Sequence, residues 1–170
     1  MKVNNTDLLD KETRVLRLDI FNFLFEHEVK RSHRYQDFVT LLILEPDLRL
    51  RAAQSLQTLA ALVEKLIRQT DLMARVDNAT FAILLPQTDL RMAEIVASRI
   101  IDHVGSYVFP EEEDQHLTVS IGGACYPATS ISVETSVLFK KAKTALKAAK
   151  RRGNSVCLAD RPVEGGPSQS

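Results

Sequence analysis

The chain has 170 residues, 45% hydrophobic and 26% charged, enough for one globular domain with a real core. Lys+Arg and Asp+Glu both number 22, so no global field recruits nucleic acid or a membrane surface. The opening "MKVNNTDLLDKETR" has no apolar core and does not read as a signal peptide, and "LLIL" with its neighbours is far too short to span a bilayer.

Residues 1–12 are polar and are expected to be flexible. From about Thr13 to Ser32, Leu16, Ile20, Phe23, Leu24 and His27 keep helical spacing. Leu18, Phe21 and Phe25 broaden that apolar face, which then serves either a wide core contact or the surface of a homodimer or partner protein. "DFVTLLILEPD" predicts a strand over Phe38 to Leu44, its unbroken apolar run suiting a central position buried on both faces. "SLQTLAALVEKLIRQ" predicts a helix with Leu56, Leu59, Val63, Leu66 and Ile67 on one stripe and Arg68 off it, toward solvent.

"RVDNATFAILLP" predicts a β-hairpin. Asp77-Asn78 supplies side chains that tolerate left-handed backbone and bond it locally, and Pro86 stops the returning strand. "DLRMAEIVASRIIDHV" predicts a helix burying Ala93, Val96, Ala97, Ile100 and Val104, with Arg99 on the flank. After the charged loop "FPEEEDQH", "LTVSIGGACYP" predicts a strand in which Gly122-Gly123 marks a bulge or a close approach. "SVLFKKAKTALKAAKRRG" predicts a helix ended by Gly153, and "SVCLA" a last strand. The tail "DRPVEGGPSQS" reads as disordered. The core rhythm βα-ββα-β predicts an α+β, ferredoxin-like fold, a sheet containing an antiparallel hairpin with helices packed on it.

Few residues in these elements promise chemistry. Cys125 and Cys157 lie in strand-like stretches and read as reduced, buried small hydrophobes of a cytoplasmic protein. Glu26, His27, Glu28 and His33 do not give a closed metal-ligand set, so a solvated helix end is expected there. "KKAKTALKAAKRR" is basic, but it alternates with core alanines and lacks aromatics, so it reads as a solvated helix face rather than a nucleic-acid or membrane contact. No nucleophile–base pattern appears.

In chain order, Asp10, Thr13 and Phe21, then "LLILEPD", "RQTDLMARVDNATFAILLPQTDLRMAEIVASRI", "LTVSIGGA" and "AKTALKAAKRRGNSV" resemble the GGDEF domains, which make cyclic di-GMP from two GTP molecules. The resemblance covers roughly residues 10–160 and implies a nucleotide-cyclase-type mixed sheet, with 13–160 as the domain and 161–170 as the tail. It also implies loss of catalysis, because the Gly-Gly-Asp/Glu-Glu-Phe signature falls on Asp77, Asn78, Ala79, Thr80 and Phe81. The glycines of that signature admit phosphates close to the backbone, and its carboxylates hold Mg²⁺; here only the Phe survives. Of the metal carboxylates Glu45 remains in place of Asp, beside Asp47, and both read as solvated loop residues. The guanine segment is replaced by "LRLRAAQSLQTL", so that pocket is expected to be missing or collapsed. Lys143 and Lys147 stand at the usual Asp and Tyr, Lys150 matches the phosphate-contacting Lys, and the Arg after Gly153 is absent. No cofactor and no metal are expected.

The family's inhibitory site for cyclic di-GMP carries Arg-x-x-Asp ahead of the turn and a further Arg in the next helix. In register these fall on Arg68, Asp71 and Arg99, the expected ligand-binding residues. An Arg fork suits guanine O6 and N7, a carboxylate accepts from the guanine N1–H and N2–H₂ edge, and a second Arg suits phosphate. The same residues also suit a helix-end cation, a turn cap and a surface Arg. The expectation is therefore an inactive cyclic di-GMP receptor of a bacterial second-messenger pathway, or else a ligand-independent interaction or dimerisation module.

Overall fold

The computed structural model describes residues 7–113, 115–127 and 134–160. The expectations for residues 1–6 and for the tail 161–170 lie outside the described residues. In chain order the elements are α1 (Leu18–Tyr35), β1 (Val39–Pro46), α2 (Ala53–Glu64), β2 (Leu72–Asp77), β3 (Thr80–Pro86), α3 (Leu90–Ser106), a 3-10 turn (Pro110–Glu112), β4 (Val119–Tyr126), α4 (Thr135–Arg152) and β5 (Val156–Leu158).

The apolar run of β1 places it at the centre of the sheet, whose order is β2-β3-β1-β4-β5. It pairs antiparallel with β3 on one side and with β4 on the other, and β5 adds parallel to β4. This is the expected α+β architecture. Alternation along β1 divides the core into two layers. Leu42 and Leu44 face α2 and α3 with Phe81, Ile83 and Ile100, while Leu41 and Ile43 face α1 and α4 with Phe25, Leu84 and Leu146. Among the described residues no helix is long and apolar enough to cross a membrane.

Helix α1 buries a different stripe from the expected one. Phe21, Phe25, Val29 and Ser32 turn inward, and Phe23 points out, 61% exposed. Phe21 and Phe25 are fully buried and stack edge-on or tilted against each other and Phe139 of α4. They are therefore core residues and leave no surface for a dimer or partner at that face; Leu18 is half-buried at the helix start.

Asp10 and Thr13 precede α1 rather than opening it. The Asp10 carboxylate accepts from the Thr13 backbone N–H and hydroxyl at 2.8 and 2.7 Å, closing a turn. Leu16 then donates to Met73 O and accepts from Arg75 N–H, so this segment covers the free edge of β2. Residues 7–12 thus belong to the folded unit.

Gly122-Gly123 marks a close approach and not a bulge, for the β1–β4 register runs unbroken through both. A Cβ built on Gly122 would lie 2.1 Å from the Leu146 backbone nitrogen, so the missing side chain is what lets α4 lie against β4. Cys125 in β4 is buried, Cys157 in β5 is half-buried, and both are free thiols, with burial pushing the Cys125 thiol above its ordinary pKa.

Candidate functional site

The hairpin turn, the end of β1 and the loop from Asp47 to Ala53 surround a cleft of about 650 Å³. The segment expected to have lost its pocket therefore stands open, with Arg49, Arg51 and Leu56 on one wall and Asp77 to Thr80 on the other. Arg75 holds the turn, donating from Nε and Nη2 to Asn78 O at 3.0 and 2.7 Å and pairing with Asp10 and Glu12 behind it. Thr80 begins β3 and donates to Glu45 Oε1 at 2.9 Å.

Neither acid at the end of β1 is a solvated loop residue. Glu45 takes the Thr80 hydroxyl on one oxygen and the Lys150 ammonium on the other at 2.6 Å. Asp47 accepts from the Thr118 and Ser120 hydroxyls at 2.6 Å each and from Asn154 N–H at 2.8 Å, pinning the loop to β4 and to the turn before β5. A divalent cation needs hard oxygens with free lone pairs. Here every oxygen of Glu45 and Asp47 already accepts from a neighbouring donor, and the Ala79 side chain offers none. The residues present do not fit Mg²⁺, and no group of three metal-ligating side chains occurs among the described residues.

Glu112 had no signal in the sequence beyond belonging to a charged loop. It is 2% exposed and lies at the start of α2, where the N-cap position is Ala52 and supplies no side-chain acceptor. Its Oε1 accepts from Arg51 N–H at 2.9 Å, with Ala52 N–H and Ser55 beside the carboxylate, while Oε2 and the Ser55 hydroxyl close no hydrogen bond. Burial pushes its pKa up, but these donors and the Arg51 charge outweigh it and hold the carboxyl below the usual range. Glu112→Ala is expected to cost about 1–3 kcal/mol at neutral pH by stripping the helix N-terminus of its acceptor. The depressed pKa makes this contribution complete above the ordinary carboxylate value and lost as pH falls through the lower, folded value. Urea unfolding of both proteins from pH 7 to 3 checks it: the gap should close toward the acid end.

Arg68, Asp71 and Arg99 lie on the far side of the hairpin. Helix α2 ends at Glu64, earlier than expected, so Arg68 stands in the turn between α2 and β2 and not on the helix. Asp71 closes that turn: its carboxylate accepts from Arg68 N–H at 2.7 Å and from the Arg68 guanidinium at 3.2 and 3.4 Å. Its side chain is only 1% exposed, so its oxygens face Arg68 and not solvent, and the expected direct contact with a guanine edge has no open oxygen to make it. The Arg68 Nη2 also donates to Thr88 Oγ1 at 2.8 Å and Pro86 O at 3.2 Å, beyond the hairpin. Held along that edge, the Arg68 side chain is still 57% exposed. Arg99, on α3, donates from Nη2 to Leu66 O, which places its guanidinium at the same turn, against the carbonyl two residues ahead of Arg68. Thr88, which anchors Arg68 here, was not singled out in the sequence, where a Thr after Pro86 reads only as loop.

The family model described as "Diguanylate cyclase, GGDEF domain" matches residues 51–155. A probable diguanylate cyclase of Escherichia coli, DgcT, is 31% identical over 111 residues, 63% of this chain and 24% of that protein. The chain thus spans about a quarter of the length of that curated relative. The crystal structure of the diguanylate cyclase SiaD in complex with its activator SiaC from Pseudomonas aeruginosa superposes with a TM-score of 0.81 at 25% identity, over 91% of this chain and 63% of that one. The coiled coil and GGDEF domain of DgcB from Caulobacter crescentus, in complex with c-di-GMP, gives a TM-score of 0.82 at 20% identity, over 93% of this chain and 88% of that one.

Proposed function

The chain belongs to the GGDEF domain family, and from that premise we propose that it is a catalytically inactive member serving as a cyclic di-GMP receptor. The binding site in this reading is Arg68, Asp71 and Arg99, and the protein acts in the cytoplasm. The observation that carries it is the state of Arg68: one edge of its fork is fixed by Asp71, Thr88 and Pro86 while much of the side chain stays open to solvent. An Arg immobilised in this way loses little entropy on meeting a guanine. Asp71 contributes by holding that fork, and Arg99 offers a second cation to phosphate from the same turn.

The inactive half of the reading is supported by Ala79, which offers no ligand oxygen, and by the Thr80–Glu45–Lys150 linkage in place of a metal site. A second reading, a ligand-independent interaction module, is favoured by Met92 and Ile95, which are about half exposed on the outer face of α3 beside Arg99. Thermal unfolding separates the two. A ligand bound only by the folded state raises stability by about 2.7 kcal/mol at a hundred times its Kd, several degrees in Tm for a chain of this size. Cyclic di-GMP should produce that rise; a Tm unmoved at saturating ligand leaves the interaction module.

A further inference from the structure

A cavity of about 280 Å³ lies at the end of the sheet away from the hairpin turn, where β1 begins and β4 and β5 end. Phe38, Leu90, Pro127 and Ala159 give it apolar walls, and Cys125, only 8% exposed, lies at its floor. Burial pushes the Cys125 thiol above its ordinary pKa, so the floor presents a neutral S–H and no charge. Three charged side chains border the cavity, Asp89, Arg91 and Asp160. Both acids are engaged. Asp89 Oδ1 accepts from Met92 N–H at 2.8 Å, at the positive end of α3, and Asp160 Oδ2 takes the Lys141 ammonium at 2.7 Å. Arg91 is exposed and carries no ion pair among the described residues.

We propose that this cavity binds a small aromatic monocarboxylate, its ring among the apolar walls and its carboxylate on the Arg91 guanidinium. With both acids compensated, Arg91 leaves one unspent positive charge, which suits a monoanion better than a phosphate dianion. Its planar fork matches a carboxylate in geometry. Phe38 is 44% exposed and offers a ring that a second ring can cover. The volume stands at the lower end for ligand pockets, so it holds one ring and excludes a nucleotide. Thr88 separates the cavity from the Arg68 turn. Its hydroxyl accepts from Arg68 Nη2, while its carbonyl accepts from the Thr40 hydroxyl and lies 3.9 Å from Cys125 Sγ. The site is therefore distinct from Arg68, Asp71 and Arg99.

NMR titration with phenylacetate tests this, read at the backbone amides of Arg91, Cys125 and Ala159. Saturable shifts at those amides are expected. Benzylamine, which keeps the ring and reverses the charge, and acetate, which lacks the ring, should give little. Arg91→Gln, at an exposed position and with a good helix former, should weaken phenylacetate by about tenfold or more. Ala159→Leu, which fills the cavity, should abolish binding. Lys65→Gln, an equal charge loss at the end of α2, should leave it nearly unchanged. Shifts centred on Arg68 and Arg99 instead, no shifts at all, equal binding of benzylamine, or unchanged affinity in Arg91→Gln would each overturn the proposal.

Discussion

Gly122→Ala is expected to be the most damaging single substitution in the sheet. The new methyl would lie 2.1 Å from Leu146 N, 2.4 Å from Ala142 O and 2.5 Å from Leu146 Cα, all backbone atoms of α4 that no rotamer change can move. Helix α4 would have to lift from β4, opening the layer that holds Leu138, Ala142, Leu146 and Ala149. A loss of about 4 kcal/mol or more follows, at the upper end of overpacking effects, which is roughly 10 °C in Tm for this size. Gly105→Ala is the counterpart. A Cβ there meets nothing within 4 Å on α3, and replacing a helical glycine should raise stability by about 0.5–1 kcal/mol. Thermal melts of the two variants should therefore move in opposite directions; a neutral Gly122→Ala would mean that α4 does not sit as described.

Incubation of the pure protein with GTP and Mg²⁺ is expected to give no cyclic di-GMP above background. The reason goes beyond Ala79. Glu45 accepts from Thr80 and Lys150, Asp47 accepts from Thr118, Ser120 and Asn154, and Asp77-Asn78 put side chains where the signature glycines admit phosphate. Ala79→Glu/Thr80→Glu restores two carboxylates, yet Asp77-Asn78 still stand at the signature glycines and "LRLRAAQSLQTL" still replaces the guanine segment, so turnover should remain at background. Chromatographic detection of product decides it. Product from the wild type would show that the acids open in solution, and product from the double variant alone would show that the signature carboxylates were the sole deficiency.

Much of the fold was legible because its signals are local. β1 announces itself by an apolar run that fits burial on both faces, and the hairpin by Asp77-Asn78 between two strand-like runs. Helix α1 was misread for an equally local reason: with apolar residues at 20, 21, 23, 24 and 25, helical spacing admits more than one stripe. The choice of Phe21, Phe25 and Val29 is made by Phe139, more than a hundred positions away in the chain.

The candidate site divides the same way. Arg68 and Asp71 stand a fixed step before the turn, and the sequence displays that register. The bonds from Arg68 to Thr88 and Pro86 follow from β3 folding back along β2, and the Asp71 carboxylate is buried against Arg68 instead of presented. The Lys150–Glu45 contact joins residues 105 apart, and Glu112 caps a helix from 61 residues downstream of Arg51. Such partners have no period and no spacing, so they appear only when the sheet has assembled.

The receptor reading rests most directly on the energy with which cyclic di-GMP meets Arg68. Calorimetric titration of the wild type, Arg68→Lys and Arg99→Ala measures it. Arg68→Lys keeps the charge but loses the planar fork, so binding should weaken roughly five- to a hundredfold, as expected for about 1–3 kcal/mol of bidentate contact. Arg99→Ala should weaken it as well, with little effect on Tm, because that side chain is exposed and donates to a carbonyl at the surface. Wild-type binding with both variants impaired is the predicted result. Absence of binding to the wild type, or unchanged affinity in Arg68→Lys, would contradict it.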